Sequence, residues 1–135
     1  QVTHTHEVLV ALEDVLSQLK DAEAGQRGFL LTGDERYLAP HTAAVGGLRA
    51  RLRDLDRLAA DSPHQQFRLA ALRDLTADKL AELDETIGLR RTKGPDAALA
   101  VVRTDRGKVL MDAVRAHVEE MEAAERGVRR ERLAE

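Results

Sequence analysis

The side chains best suited to chemistry in this chain are its five histidines, the carboxylates near them, and a polar knot in the first third. His4, His6 and Glu7 are close enough along the chain to touch one metal ion, and His117 and Glu120 share one face of a helix. Neither set has a third ligand fixed by spacing. No Glu stands three residues before a His, the pattern by which di-iron bundles converge carboxylates and imidazoles on their metals. No metal site is therefore expected. A haem or metal carrier using His41 or His117 stays as a minor alternative, with His117 better suited to be a core or interface imidazole. Catalysis needs a placed nucleophile, base and charge stabiliser. The chain has no Cys, no Gly-x-Ser-x-Gly elbow, no phosphate loop and no zinc-hydrolase signature, so neither enzyme activity nor a cofactor is expected.

The polar knot is Asp21-Ala22-Glu23-Ala24-Gly25-Gln26-Arg27-Gly28. It puts Gly25 and Gly28 inside a helix, at about 1 kcal/mol each relative to Ala. It also places Glu23 and Gln26 in slots where Leu packs better. Local choices that lose stability mark places where function or close backbone contact demands them. Gly25-x-x-Gly28 lacks the preceding strand of a dinucleotide site and reads as close helix packing. An ordinary alternative stays open: Glu23 and Arg27 form an i, i+4 surface pair worth about 0.2–0.5 kcal/mol.

The elements that must carry these residues are helical. Leu9, Leu12, Leu16, Leu19, Glu23, Gln26 and Leu30 follow a three-four rhythm, which predicts a long amphipathic helix over residues 3–32. It ends at Gly33, suited to a left-handed C′ position, with Asp34 as the next cap. A second helix is expected over 35–61, with Leu38, His41, Val45, Leu48, Leu52, Leu55 and Ala59 as its seam and a bend at Pro40. Ser62-Pro63-His64-Gln65 reads as a capping box, with Gln65 reaching back to the cap. The third helix, 63–92, carries Leu69, Leu72, Leu75, Leu80, Leu83 and Ile87. A short helical connector over 94–104 follows Gly94-Pro95. Thr104 or Asp105 then caps a helix over 105–133 with Leu110, Val114, His117, Met121, Ala124 and Val128 as its seam. Four long helices with two tight turns and one longer connector predict an all-α, up-down-up-down four-helix bundle with both termini at one end.

The 135 residues suit one domain, with 21 basic against 24 acidic residues, a net charge of -3 and 2% aromatics. Without a cationic excess or stacking rings, sequence-independent nucleic-acid binding is disfavoured. The chain starts at Gln1 and contains no apolar run of transmembrane length, so it reads as a piece excised from a larger protein.

The run DAEAGQRGFLLTGDERYLAPH, Asp21 to His41, resembles the signature of the CHASE domain of type three, a bacterial extracytoplasmic sensor family. The resemblance continues through SPHQQFRLAALRDL, GPDAALAVV and KVLMDAVRAHVEEMEAAE, Lys108 to Glu125, and so covers nearly the whole chain. It implies an input module held between two transmembrane helices of a histidine kinase, a cyclic-dinucleotide cyclase or a chemoreceptor. It also implies a homodimer in the intact receptor, an unidentified small-molecule ligand, and a place on the outer side of the cell membrane. Glu23, Gln26 and Arg27 match the family's polar cluster, with His41 and Arg90 as further ligand or signalling candidates. Gly25, Gly28, Gly33, Met111, Arg115, Met121 and Glu125 match its structural signature. Arg90, Arg91, Arg103 and Arg106 are expected to collect near the polar cluster, where guanidinium groups can receive a carboxylate or phosphate or stay solvated. In this reading the first and last long helices relay a shift of about 1–2 Å through the membrane. The alternative is a soluble helical adaptor that binds partner helices through an apolar face.

Overall fold

Helix formers dominate the composition, and helix is what forms. The computed structural model describes residues 2–134, with side chains over 4–127. It contains α1 (Val2–Thr32), a 3-10 turn (Glu35–Tyr37), α2 (Leu38–Leu58), α3 (Pro63–Lys93), α4 (Pro95–Val102) and α5 (Arg106–Ala134). No strand occurs among the described residues. The seam position Val128 lies outside the described side chains.

The helix ends follow local stereochemistry. Gly33 takes φ +68°, and its N–H donates to the Phe29 carbonyl at 2.7 Å, which closes α1. Asp34 then accepts from the Arg36 N–H at 2.9 Å. Pro40 does not interrupt α2. A 3-10 turn takes up the change of pitch at Glu35–Tyr37, and Pro40 falls in the first turn of α2, where its missing N–H leaves no bond unmade. Ser62 caps α3 by accepting from the Gln65 N–H at 3.2 Å, with Pro63 at the first helical position. The other half of the expected capping box is absent. The Gln65 side chain turns inward and donates to Glu125 Oε2 at 2.8 Å. Gly94, at φ +92°, separates α3 from α4. Between α4 and α5 the Thr104 hydroxyl accepts from the Arg106 N–H, while Asp105 holds a left-handed φ of 62°.

The helices pack as a bundle. Residue pairs Asp14 with Arg51 and Ala22 with His41 run in opposite senses, so α1 and α2 are antiparallel. Gln65 with Glu125 and Lys79 with Gly107 make α3 and α5 antiparallel in the same way. Glu23 with Lys79 and Gln26 with Thr86 set α1 and α3 side by side and parallel. The largest core cluster joins Leu12, Leu19, Leu48, Leu72, Val114 and Met121 with their neighbours. Each fully buried Leu of this kind stabilises by about 1.5–3 kcal/mol relative to exposure. A smaller cluster of Ala22, Ala44 and Leu83 follows, and Phe29, Leu38 and Ile87 close the far end.

The buried stripe of α1 is wider than a two-position seam. Leu9 and Leu30 are only half-buried, whereas Val8, Val15, Ala22 and Phe29 are buried. The reason is that α1 meets α2, α3 and α5 at once, and three neighbours cover more than one stripe of a helix.

Candidate functional site

Two of the four long helices break their apolar rhythm at the same height. In α1 the break is Glu23 and Gln26; in α3 it is Thr76, Lys79, Glu82 and Thr86, all buried. These positions are brought together by the parallel packing of α1 on α3. The Lys79 side chain is 1% exposed, and its ammonium donates to Glu23 Oε2 at 2.7 Å, Glu82 Oε1 at 2.8 Å and the Gly107 carbonyl at 3.2 Å. One cation thus ties α1, α3 and the first turn of α5. Glu82 is 4% exposed and Glu23 25%, so Glu82 depends most on the ammonium for its charge compensation. The i, i+4 pair between Glu23 and Arg27 also exists, at 3.6 Å, but Arg27 is largely exposed and Lys79 is the nearer partner.

Beside this tie, Gln26 Nε2 donates to Thr86 Oγ1 at 2.7 Å, and the Thr86 hydroxyl donates onward to the Leu83 carbonyl at 2.9 Å. The buried Thr86 hydroxyl thereby both accepts and donates. Gly107 lets α5 come this close, because a Cβ there would lie 2.9 Å from both Glu82 carboxylate oxygens. Gly25 does the same for α2, since a Cβ would stand 3.0 Å from the backbone of His41 and Tyr37. Gly28 faces the Tyr37 ring. The two glycines that weaken α1 as an isolated helix are therefore where α2 crosses it.

The tie forms the floor of a cleft of about 500 Å³ between α1, α3, α4 and α5. Charged groups of both signs stand round it: Glu23, Arg27, Asp105, Lys108, Asp112 and Arg115. Lys108 and Arg115 both pair with Asp112, at 2.7 Å and 3.2 Å. The bond from Lys108 holds the Asp112 carboxyl below the usual carboxylate range, and the same contact raises Lys108. The apolar part of the lining is Leu30, Leu31, Leu99, Val102 and Met111. Leu31, Leu99 and Val102 are exposed for residues of their kind. A cleft with a charged rim and an apolar wall suits a small organic molecule with a polar head.

Of the residues singled out from sequence, Glu23, Gln26, Arg27, Met111 and Arg115 all line this cleft. His41 and Arg90 do not. His41 is buried between α1 and α2, and its Nδ1–H donates to the Ala22 carbonyl at 2.9 Å; a carbonyl can only accept, which fixes the tautomer. Arg90 donates through Nε to the Leu30 carbonyl at 3.0 Å and packs against Gly33. Met121 and Glu125 lie at the other end of the bundle, beside a second cavity. Arg91 and Arg106 do gather near the polar cluster, but each is occupied. Arg91 makes two bonds to Glu35, at 3.1 Å and 2.7 Å, and lies 5.6 Å from the Phe29 ring centre; Arg106 pairs with Glu85. The bond from Arg91 holds the Glu35 carboxyl below its ordinary value.

His117 donates through Nε2 to the Arg68 carbonyl at 2.7 Å, so that nitrogen has no lone pair for a metal. Among the described residues no three His, Asp or Glu side chains converge as metal ligands. Lys79, Glu82 and Thr86 were not anticipated from sequence. The available signal was the rhythm itself: from Leu69 and Leu72 the three-four steps fall on 76, 79, 83 and 86, not on Leu75 and Leu80.

Comparison with known proteins agrees with this arrangement of helices. The CHASE3 domain family matches residues 1–135. The crystal structure of the Rhodopseudomonas palustris histidine kinase HK9 sensor domain superposes with a TM-score of 0.82 at 30% sequence identity, covering 91% of this chain and 96% of that one. No curated protein matches the chain.

Proposed function

This chain belongs to the CHASE3 domain family, and from that premise we propose that it is the extracytoplasmic input domain of a bacterial transmembrane receptor, with a histidine kinase as the favoured output. In this reading the bundle is an up-down-up-down four-helix bundle of α1, α2, α3 and α5, with α4 as the connector before the last helix. Transmembrane helices flank it in the intact receptor, and two copies pair to couple two output modules. No helix among the described residues is itself long and apolar enough to cross a membrane.

The observation that carries the reading is the Lys79 tie. It lies in the floor of the cleft, and it binds α1 to the first turn of α5, the two helices that lead out of the domain. A small molecule with a charged head competes for Glu23, Arg27 or Arg115 and so acts directly on that junction. Ligand binding shifts the helices only through different affinities for two arrangements, and the tie supplies a contact that differs between them. The direction of transmission is supported by His4, Ser62 and Glu125, which line one cavity and so bring the start of α1 and the later part of α5 to the same end.

The test is made in the full-length receptor. Arg27→Ala and Glu23→Gln are introduced and output activity is measured, while circular dichroism follows folding of the 135-residue chain. Altered basal or stimulated output with a folded domain supports the proposal. Wild-type output from both variants overturns it.

A further inference from the structure

A second cavity lies at the opposite end of the bundle from the cleft, enclosed by the first turns of α1, the α2–α3 turn and the later part of α5. Its volume is about 70 Å³, room for roughly two waters or one short alkylammonium ion. Two acceptors there lack what they need. Gln65 is 7% exposed, and its Nε2 is committed to Glu125 Oε2 at 2.8 Å. With Nε2 donating to Glu125, Gln65 Oε1 is left without a hydrogen-bond partner. Glu125 is 4% exposed, and among the described residues it takes part in no ion pair. Thr5 Oγ1, next to His4 in α1, is likewise buried without a partner.

An unmade bond to a buried acceptor costs about 1–3 kcal/mol, and a buried carboxylate with no cation beside it among the described residues costs more. Both deficits call for one chemical species: a donor carrying positive charge. His4 and Ser62 complete the polar part of the lining, and Val8, Leu55, Leu58, Ala59, Leu69 and Met121 offer apolar surface, which suits a short hydrocarbon tail. We propose that this cavity is a binding site for a primary ammonium group on a short alkyl chain, held by Gln65 Oε1 and the Glu125 carboxylate. The site is separate from the distal cleft, and the proposal does not depend on what that cleft binds.

The experiment titrates the 135-residue chain with n-propylammonium chloride and follows the Gln65 side-chain amide and the Thr5 backbone amide by NMR. Sodium chloride and n-propanol serve as matched controls. Saturable shifts at both positions are expected with the ammonium salt, with affinity weakened about tenfold or more in Glu125→Gln. Ala59→Met, which extends a wall residue of the cavity into its space, is expected to abolish the response without removing either acceptor. The proposal is overturned by the absence of a saturable shift, or by equal shifts with propanol or sodium chloride, which would mark a water-filled pocket. It is equally overturned if Ala59→Met binds like the wild type, and this second variant decides the matter if Glu125→Gln does not fold.

Discussion

Replacing Lys79 with Met tests whether the buried tie is a structural junction. Met keeps the length and apolar stem of Lys but removes the ammonium and its three bonds, to Glu23, Glu82 and the Gly107 carbonyl. The two carboxylates do not suffer equally. Glu23 retains Arg27 at 3.6 Å and a quarter of its side-chain exposure, whereas Glu82 is left buried with no cation bonded to it. Removing one partner of a buried pair costs about 3–5 kcal/mol because the other charge is stranded. Lys79→Met is therefore expected to lose about that much in urea unfolding near neutral pH, followed by far-UV circular dichroism. Glu23→Gln, which leaves Lys79 paired to Glu82, is expected to lose about 1 kcal/mol. The double variant Lys79→Met/Glu82→Leu removes the stranded charge and is expected to regain most of the deficit. A loss below about 1 kcal/mol for Lys79→Met, the range of a solvated surface pair, would refute the reasoning.

Three further outcomes follow from particular contacts. Burial, reinforced by the Glu13 carboxyl on α1, pushes the Glu122 carboxyl on α5 up to about 7. A folded-state value above the unfolded one means that the native state holds the proton more tightly. Stability is then full below about pH 4.5 and falls as pH rises through about 7, by at most about 3 kcal/mol. Glu122→Gln is expected to flatten that decline in urea melts taken across this range, and an unchanged slope would remove the assignment. Gly25→Ala gains about 1 kcal/mol of helix propensity but sets a Cβ 3.0 Å from the His41 nitrogen of α2 and the Tyr37 carbonyl of the 3-10 turn, which cannot swing aside. A net loss of about 1–3 kcal/mol is expected, against a gain if the crossing is loose. Ser62→Ala removes the acceptor for the Gln65 N–H and is expected to lower stability by about 1 kcal/mol, measured by thermal melting.

Much of the fold was legible because helix ends obey local rules. Gly33, Ser62-Pro63 and Gly94-Pro95 each act through the backbone of one or two residues, and each break falls where the local pattern placed it. The 3-10 turn before α2 is a local variation in pitch that the apolar rhythm does not register, and the inward swing of Gln65 answers to a partner on α5. Half of the candidate site was legible as well. Glu23, Gln26 and Arg27 stand out as a fault in an apolar seam, and all three line the cleft. Lys79 falls on the rhythm that starts from Leu69 and Leu72, but Glu82 does not, and its burial is set by the ammonium and by the close approach of α5 at Gly107.

The amino-acid sequence by itself determined that this chain makes helices, where they stop, and which stretch of α1 gives up packing for polarity. Propensity, capping and glycine stereochemistry are short-range effects written in consecutive residues. The tertiary structure alone decided that Glu23 meets a lysine 56 residues away, that Arg90 and His41 bond backbone carbonyls and do not line the cleft, and that Gln65 faces Glu125. A buried charge takes its partner from whichever helix packs beside it, and that neighbour is chosen by the joint burial of several apolar faces, a choice no single segment carries.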